Sequence, residues 1–128
     1  MQTIAHDPDH GVYVTTRDYI HALEVRDATR TLHVSGTMGL EADGGAPATL
    51  AEQLVLVWDN VRAILAAAGM TLDHVVRVTS YLRDAADAEV NAAARSAALG
   101  GRAVPTTAIV VGHLSADWLV EIEVIAMA

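Results

Sequence analysis

The sequence predicts an α+β fold: a two-layer sandwich of a six-stranded mixed sheet with two helices on one face, in the order β-β-β-α-β-α-β-β. Three observations predict it. Two segments repeat apolar residues at helical spacing, short β-rich runs precede, separate and follow them, and glycine or proline marks most junctions. The chain has 128 residues, 52% of them hydrophobic, and a mean hydropathy of +0.32. That composition suits one compact domain and excludes a disordered or fibrous chain.

Residues 1–11 hold two Asp, two His and a Pro without periodicity and read as a flexible arm, leaving 12–128 as a single domain. Runs at 12–15, 20–25 and 31–34 read as strands, and the polar break at 26–30 has the length of a hairpin turn. Gly36, Gly39, Gly44, Gly45 and Pro47 then predict a loop. Thr49 and Glu52 make a capping box ahead of Leu50, Leu54, Val57, Trp58, Val61, Leu65 and Ala68, and Gly69 closes this amphipathic helix. Residues 75–82 form a two-faced strand, with Val76, Val78, Ser80 and Leu82 against Val75, Arg77, Thr79 and Tyr81. An alanine-rich helix spans 87–99 and stops at Gly100-Gly101. Strands at 106–111 and 118–127 complete the order. With both helices on one sheet face, apolar residues at both parities of the last strand (Val120, Ile122 and Val124 against Leu119 and Ile125) predict that self-association covers the other.

Composition narrows the chemistry. There is no Cys and no Lys, so thiolate metal sites, disulfides, cysteine nucleophiles, lysine Schiff bases and phosphate-loop lysines are excluded. Sixteen acids against eight arginines set up a field that repels nucleic acid and anionic lipid. No run approaches the roughly 18 apolar residues of a membrane-spanning helix, and the first residues carry no secretory pattern, so the reading is cytoplasmic. No metal is predicted: Pro8 forbids the helix that would align His6 with His10, His33 reads as a packed strand residue, and His74 reads as a turn residue. No cofactor is predicted either, because the glycines match neither nucleotide-binding pattern. Ser35, in Val34-Ser35-Gly36-Thr37, lacks the first glycine and the strand-to-helix context of a nucleophile elbow. On the last strand Glu121 and Glu123 share a face with Leu119 and Ile125. A partly buried carboxylate there either pairs with an arginine or is free for acid–base work.

Several segments, in order, resemble the Rid (YjgF) family of reactive intermediate/imine deaminases. They are Tyr19-Ile20-His21-Ala22, Val34-Ser35-Gly36, Ile64-Leu65-Ala66-Ala67-Ala68-Gly69, Leu72-Asp73-His74-Val75-Val76-Arg77-Val78-Thr79, Glu89-Val90-Asn91, Val104-Pro105-Thr106-Thr107 and the stretch from Leu119 to Ala126. The resemblance covers residues 12–128. It implies a chorismate-mutase-like sandwich that forms a homotrimer, with small-molecule clefts between subunits. It also implies site residues: Tyr19, Ser35, Asn91 and Glu121, with the glutamate activating water that hydrolyses an imine or enamine to a carbonyl and ammonia.

At one position the chain departs from the family. Where deaminating members carry an arginine two residues after the late proline, this chain has Thr107, a hydroxyl in place of the guanidinium that clamps a substrate carboxylate. The expected substrate is therefore a small imine, enamine or related C–N intermediate other than a 2-imino acid. Glu121, Tyr19 and His113 are the catalytic candidates, and Ser35, Asn91 and Thr107 the binding ones. His113 also reads as a plain loop residue. Arg102, five residues before Thr107, reads either as a replacement cation or as a solvated loop side chain. The competing functions are a non-catalytic small-molecule-binding trimer and a cyclase or tautomerase using the same cleft.

Overall fold

The computed structural model describes residues 1–128. Its elements run β1 (Gln2–His6), β2 (Ala22–Arg26), β3 (Thr31–Met38), α1 (Leu50–Ala67), β4 (Val75–Leu82), α2 (Ala88–Ala98), β5 (Thr106–Val110) and β6 (Val120–Met127). The α+β class and the order of elements from β2 onward match the expectation. The single six-stranded sheet does not. β3, β6, β4 and β5 form one four-stranded sheet in that order, and β1 and β2 form a separate two-stranded ribbon.

Two local features cause the split. Asp27 takes a left-handed conformation (φ 57°), so residues 26–30 turn the chain away and do not close a hairpin. The backbone of Thr29 and Arg30 instead holds the Ala128 carbonyl, and β3 runs antiparallel to β6 from Thr31 opposite Met127. The first strand also falls on 2–6 and not on 12–15, because β1 pairs with β2 from Gln2 opposite Arg26 to His6 opposite Ala22. Only Ile4 of β1 is even half-buried, so this ribbon has no apolar face to announce it, while Val12 and Val14, which looked strand-like, are exposed.

The main sheet mixes orientations: β4 is antiparallel to β6 and parallel to β5. Thr49 caps α1 by accepting from the Glu52 backbone N–H, and α1 lays Leu54, Val57, Trp58, Val61 and Leu65 on the sheet. They meet the even residues of the strands, among them Val78, Leu82, Val120, Ile122 and Val124, in one continuous core. From Arg77 onward the odd residues of β4, and those of β6, face the opposite, uncovered side, while Val75, before a register shift against β6, is sealed in the core.

Candidate functional site

Glu121 lies on the uncovered face of β6, opposite Met38 of β3 and Tyr81 of β4. Its neighbourhood is built by a bulge. Val34 pairs with Val124 but Thr37 pairs with Ile122, so β3 carries one extra residue at Ser35-Gly36. A Cβ at Gly36 would sit 1.9 Å from Glu121 Oε1, so glycine is the residue that leaves room for this carboxylate. Glu121 is half-buried and has neither an ion pair nor a side-chain hydrogen bond within the chain. Ser35, one residue before Gly36 on the bulge, is exposed in a small groove shared with His33 and Glu123.

Two polar residues of α1 hold this edge in place. Gln53 is sealed from solvent; its amide donates to the carbonyls of Pro47 and Asp117 (2.8 Å each) and accepts from Leu119 N–H (2.9 Å), fixing the entry to β6. Asn60 donates to the carbonyls of Met38 and Leu40, at the exit from β3. Sequence reasoning missed both, since a Gln or Asn in an amphipathic helix reads as a solvated position.

A second cluster forms at the other sheet edge. Tyr19, Asn91 and Thr107 line one cavity of about 440 Å³, together with Tyr13, Asp18 and Arg95. Asn91 is fully buried on α2, and neither its amide oxygen nor its amide nitrogen has a partner in the chain. The Tyr19 segment is fixed by a parallel bridge to Val104 and by Arg95, whose buried guanidinium donates to the Asp18 carboxylate and to the Asp18 carbonyl. The Thr16 hydroxyl bonded to Asp18, and Arg95 after it, hold the Asp18 carboxyl below the ordinary carboxylate value.

His113 joins neither cluster. Its Nε2–H donates to the Tyr81 carbonyl (3.2 Å) at the end of β4, which leaves a buried, unpartnered Nδ1. Arg102 is committed elsewhere, to the carbonyls of Leu72 (2.7 Å) and Val75 (3.3 Å), so it is not the replacement cation. His74 has a local task, since its Nδ1 accepts from Thr71 N–H (2.9 Å) and closes the turn before β4. The groove between α1 and α2, around Trp58 and Val90, is mostly apolar, and its Asp59 and Arg62 neutralise each other. No three His, Asp or Glu side chains converge in a way that would hold a metal ion, and no helix is long and apolar enough to cross a membrane.

Fold and clusters together define an α+β sandwich whose polar groups gather at two edges of one sheet. The family model described as endoribonuclease L-PSP matches residues 13–128, and the chain belongs to that family, also called Rid or YjgF. Among curated relatives, the RutC family protein YjgH of Escherichia coli K12 is 39% identical over 75 residues, 59% of this chain and 54% of that protein, so the match spans about half of its length. A RutC family protein of Pyrococcus abyssi is 33% identical over 97 residues, 74% of this chain and 76% of the relative. Among solved structures, the conserved Rid family protein YyfB of Yersinia pestis, a protein of unknown function, superposes with a TM-score of 0.86 at 27% identity over 100% of both chains. RidA of Psychrobacter sp. PAMC 21119 gives 0.72 at 27% identity, over 89% of this chain and 97% of its own. Proteins of this family form small oligomers.

Proposed function

We propose that this protein is a Rid-type hydrolase that adds water across the C=N bond of a small imine, or of the imine tautomer of an enamine, releasing a carbonyl compound and ammonia. The observation that carries the reading is the Glu121 carboxylate: half-buried, unpaired, and packed against Gly36. A carboxylate so placed accepts a proton from water as the oxygen attacks the imine carbon, and returns it to the departing nitrogen. Tyr19 and Asn91 bind the substrate across the cleft, and Ser35, on the bulge beside Gly36, supplies a hydroxyl. His113, tied to a backbone carbonyl, serves as a loop anchor.

The same reading requires a homotrimer. In the order β3-β6-β4-β5, Ser35 and Thr107 sit on opposite edge strands, three spacings or about 14 Å apart. A small molecule does not span both in one chain. Head-to-tail packing that sets the β3 edge of one copy against the β5 edge of the next unites the clusters, and such a contact, repeated with a closing rotation, forms a ring. The proposal includes a cytoplasmic setting and excludes RNA as substrate, since sixteen acids and eight arginines disfavour a polyanion.

Ammonia release from imines generated in situ by an amine or amino-acid oxidase tests the chemistry. The expected result is release above the uncatalysed rate, lost on Glu121→Gln. No acceleration with any imine, in a protein that still binds small molecules between subunits, establishes the second reading, a non-catalytic binding trimer. Thr107 is the feature that favours it.

A further inference from the structure

The chain between β1 and β2, residues 7–21, is irregular, yet side chains within it fix its course. The Asp7 carboxylate accepts from the Thr15 hydroxyl (2.8 Å) and from the His21 backbone N–H (3.1 Å), which closes the segment into a loop. Within that loop the His21 Nε2–H donates to the Tyr13 carbonyl (2.7 Å). The His21 ring also meets two tyrosines edge to face. Its centroid lies 4.9 Å from that of Tyr13, at an interplanar angle of 69°, and 6.2 Å from that of Tyr19, at 85°. Both tyrosines line the cavity of about 440 Å³, and His21 does not. The histidine is thus a pillar that fixes two aromatic rings beside one cavity.

Tyr13 is 72% exposed, so its own burial does not account for this fixing. Holding an aromatic side chain in one geometry costs conformational entropy, and a ring left uncovered recovers little of it through burial. A fixed, uncovered ring beside a cavity does gain when a second flat ring packs on it, because the ordering has been completed before the ligand arrives. We infer that Tyr13 is a specificity-determining residue which, together with Tyr19 and through the His21 pillar, makes this cavity prefer ligands bearing a flat aromatic group. The inference rests on the hydrolase reading and adds to it a substrate class: imines whose carbon carries an aryl substituent, so that the carbonyl product is an aryl aldehyde or ketone. Such a substituent is uncharged, in keeping with the hydroxyl at Thr107.

Benzamide and cyclohexanecarboxamide test the preference by NMR titration of the intact protein, with oligomer mass followed by light scattering. The two probes carry the same amide and the same number of ring carbons, so contacts to the amide cancel in the ratio of affinities. The wild-type protein binds benzamide about twofold to tenfold more tightly, the range of one aromatic contact beyond its area. Tyr13→Leu keeps an apolar side chain, removes the ring, and brings the ratio to about one. Tyr13→Phe keeps the ratio, because His21 bonds the backbone carbonyl of residue 13 and not the phenol hydroxyl. His21→Ala leaves both tyrosines in the chain and lowers the ratio by freeing them. Equal binding of the two probes by the wild-type protein, binding of neither, a ratio that survives Tyr13→Leu or His21→Ala, or one lost in Tyr13→Phe overturns the inference. If Tyr13 instead packs against a second copy of the chain, Tyr13→Leu lowers the oligomer mass, and that outcome also overturns it. Because the titration needs no turnover, the two readings fail separately. A protein that prefers benzamide but releases no ammonia from any imine loses only the hydrolase reading, and one that hydrolyses imines without binding benzamide more tightly loses only the aromatic preference.

Discussion

Val120, Ile122, Val124 and Ala126 are sealed beneath the helices, whereas Glu121, Glu123, Ile125 and Met127, one residue along the same strand in each case, look out on the uncovered face. The two sets share backbone, hydrogen bonds and neighbours, and differ only in the side to which the pleat turns them. On the covered side every position adds apolar area to one core. On the other side the carboxylates of Glu121 and Glu123, a bulge and the Arg77 guanidinium bonded to Thr107 are held in a frame whose stability comes from the opposite face. Substitutions on the two sides of β6 therefore separate stability from chemistry.

The sharpest separation is expected at adjacent residues. Glu121→Gln lowers the rate of ammonia release by about 10²–10⁴-fold, the range for loss of a general base, with an unfolding midpoint close to wild type. A variant with unchanged turnover removes the carboxylate from the mechanism. Ile122→Ala does the reverse: urea denaturation loses about 2–5 kcal/mol because the cavity lies in a fully buried layer, while the activity per folded molecule is kept. Equal stability losses at 121 and 122 would contradict the division between faces.

Gly36→Ala follows. The new methyl group falls on Glu121 Oε1, the far end of a flexible side chain, so the carboxylate swings away at little expense in stability while turnover falls about tenfold or more. Wild-type kinetics in this variant would show that the position of Glu121 over the bulge is not used.

The smallest effect concerns the Asp18–Arg95 latch. Since the Asp18 carboxyl is held below its ordinary value of 3.8, its contribution is fully present above that pH and is lost as pH falls below it, through the lower folded value. Asp18→Asn is accordingly less stable than wild type at neutral pH, and the gap between the two narrows in acid below about 3.8 in thermal melts. A gap that does not change with pH assigns the latch to packing alone.

How much was legible varies by element. Strand β4 occupies the predicted residues, and from Arg77 on its alternation holds, one face to the core and one to polar groups; Val75, which alternation groups with Arg77, is instead buried in the core across a register shift. Strand β1 was hidden because an exposed ribbon has no apolar periodicity, and Val12-Tyr13-Val14 misled because β-propensity without burial does not make a strand. At the site, the exposure of Arg77 on the face of Thr79 and Tyr81 follows from parity. Its bond to Thr107, thirty residues later, depends on β5 lying parallel to β4 with Thr107 opposite Thr79, a register no local pattern encodes.

By itself the sequence determined the element types, the two-sidedness of the strands and the family, since hydrophobic period, caps and glycine stops are local properties of the chain. Tertiary structure alone decided that six strands divide into a ribbon and a sheet, that Tyr19, Asn91 and Thr107 gather at the edge opposite Ser35, and that a cation stands beside position 107 after all. Those outcomes depend on which strands pair and in what register, and pairing energy belongs to residues far apart in sequence.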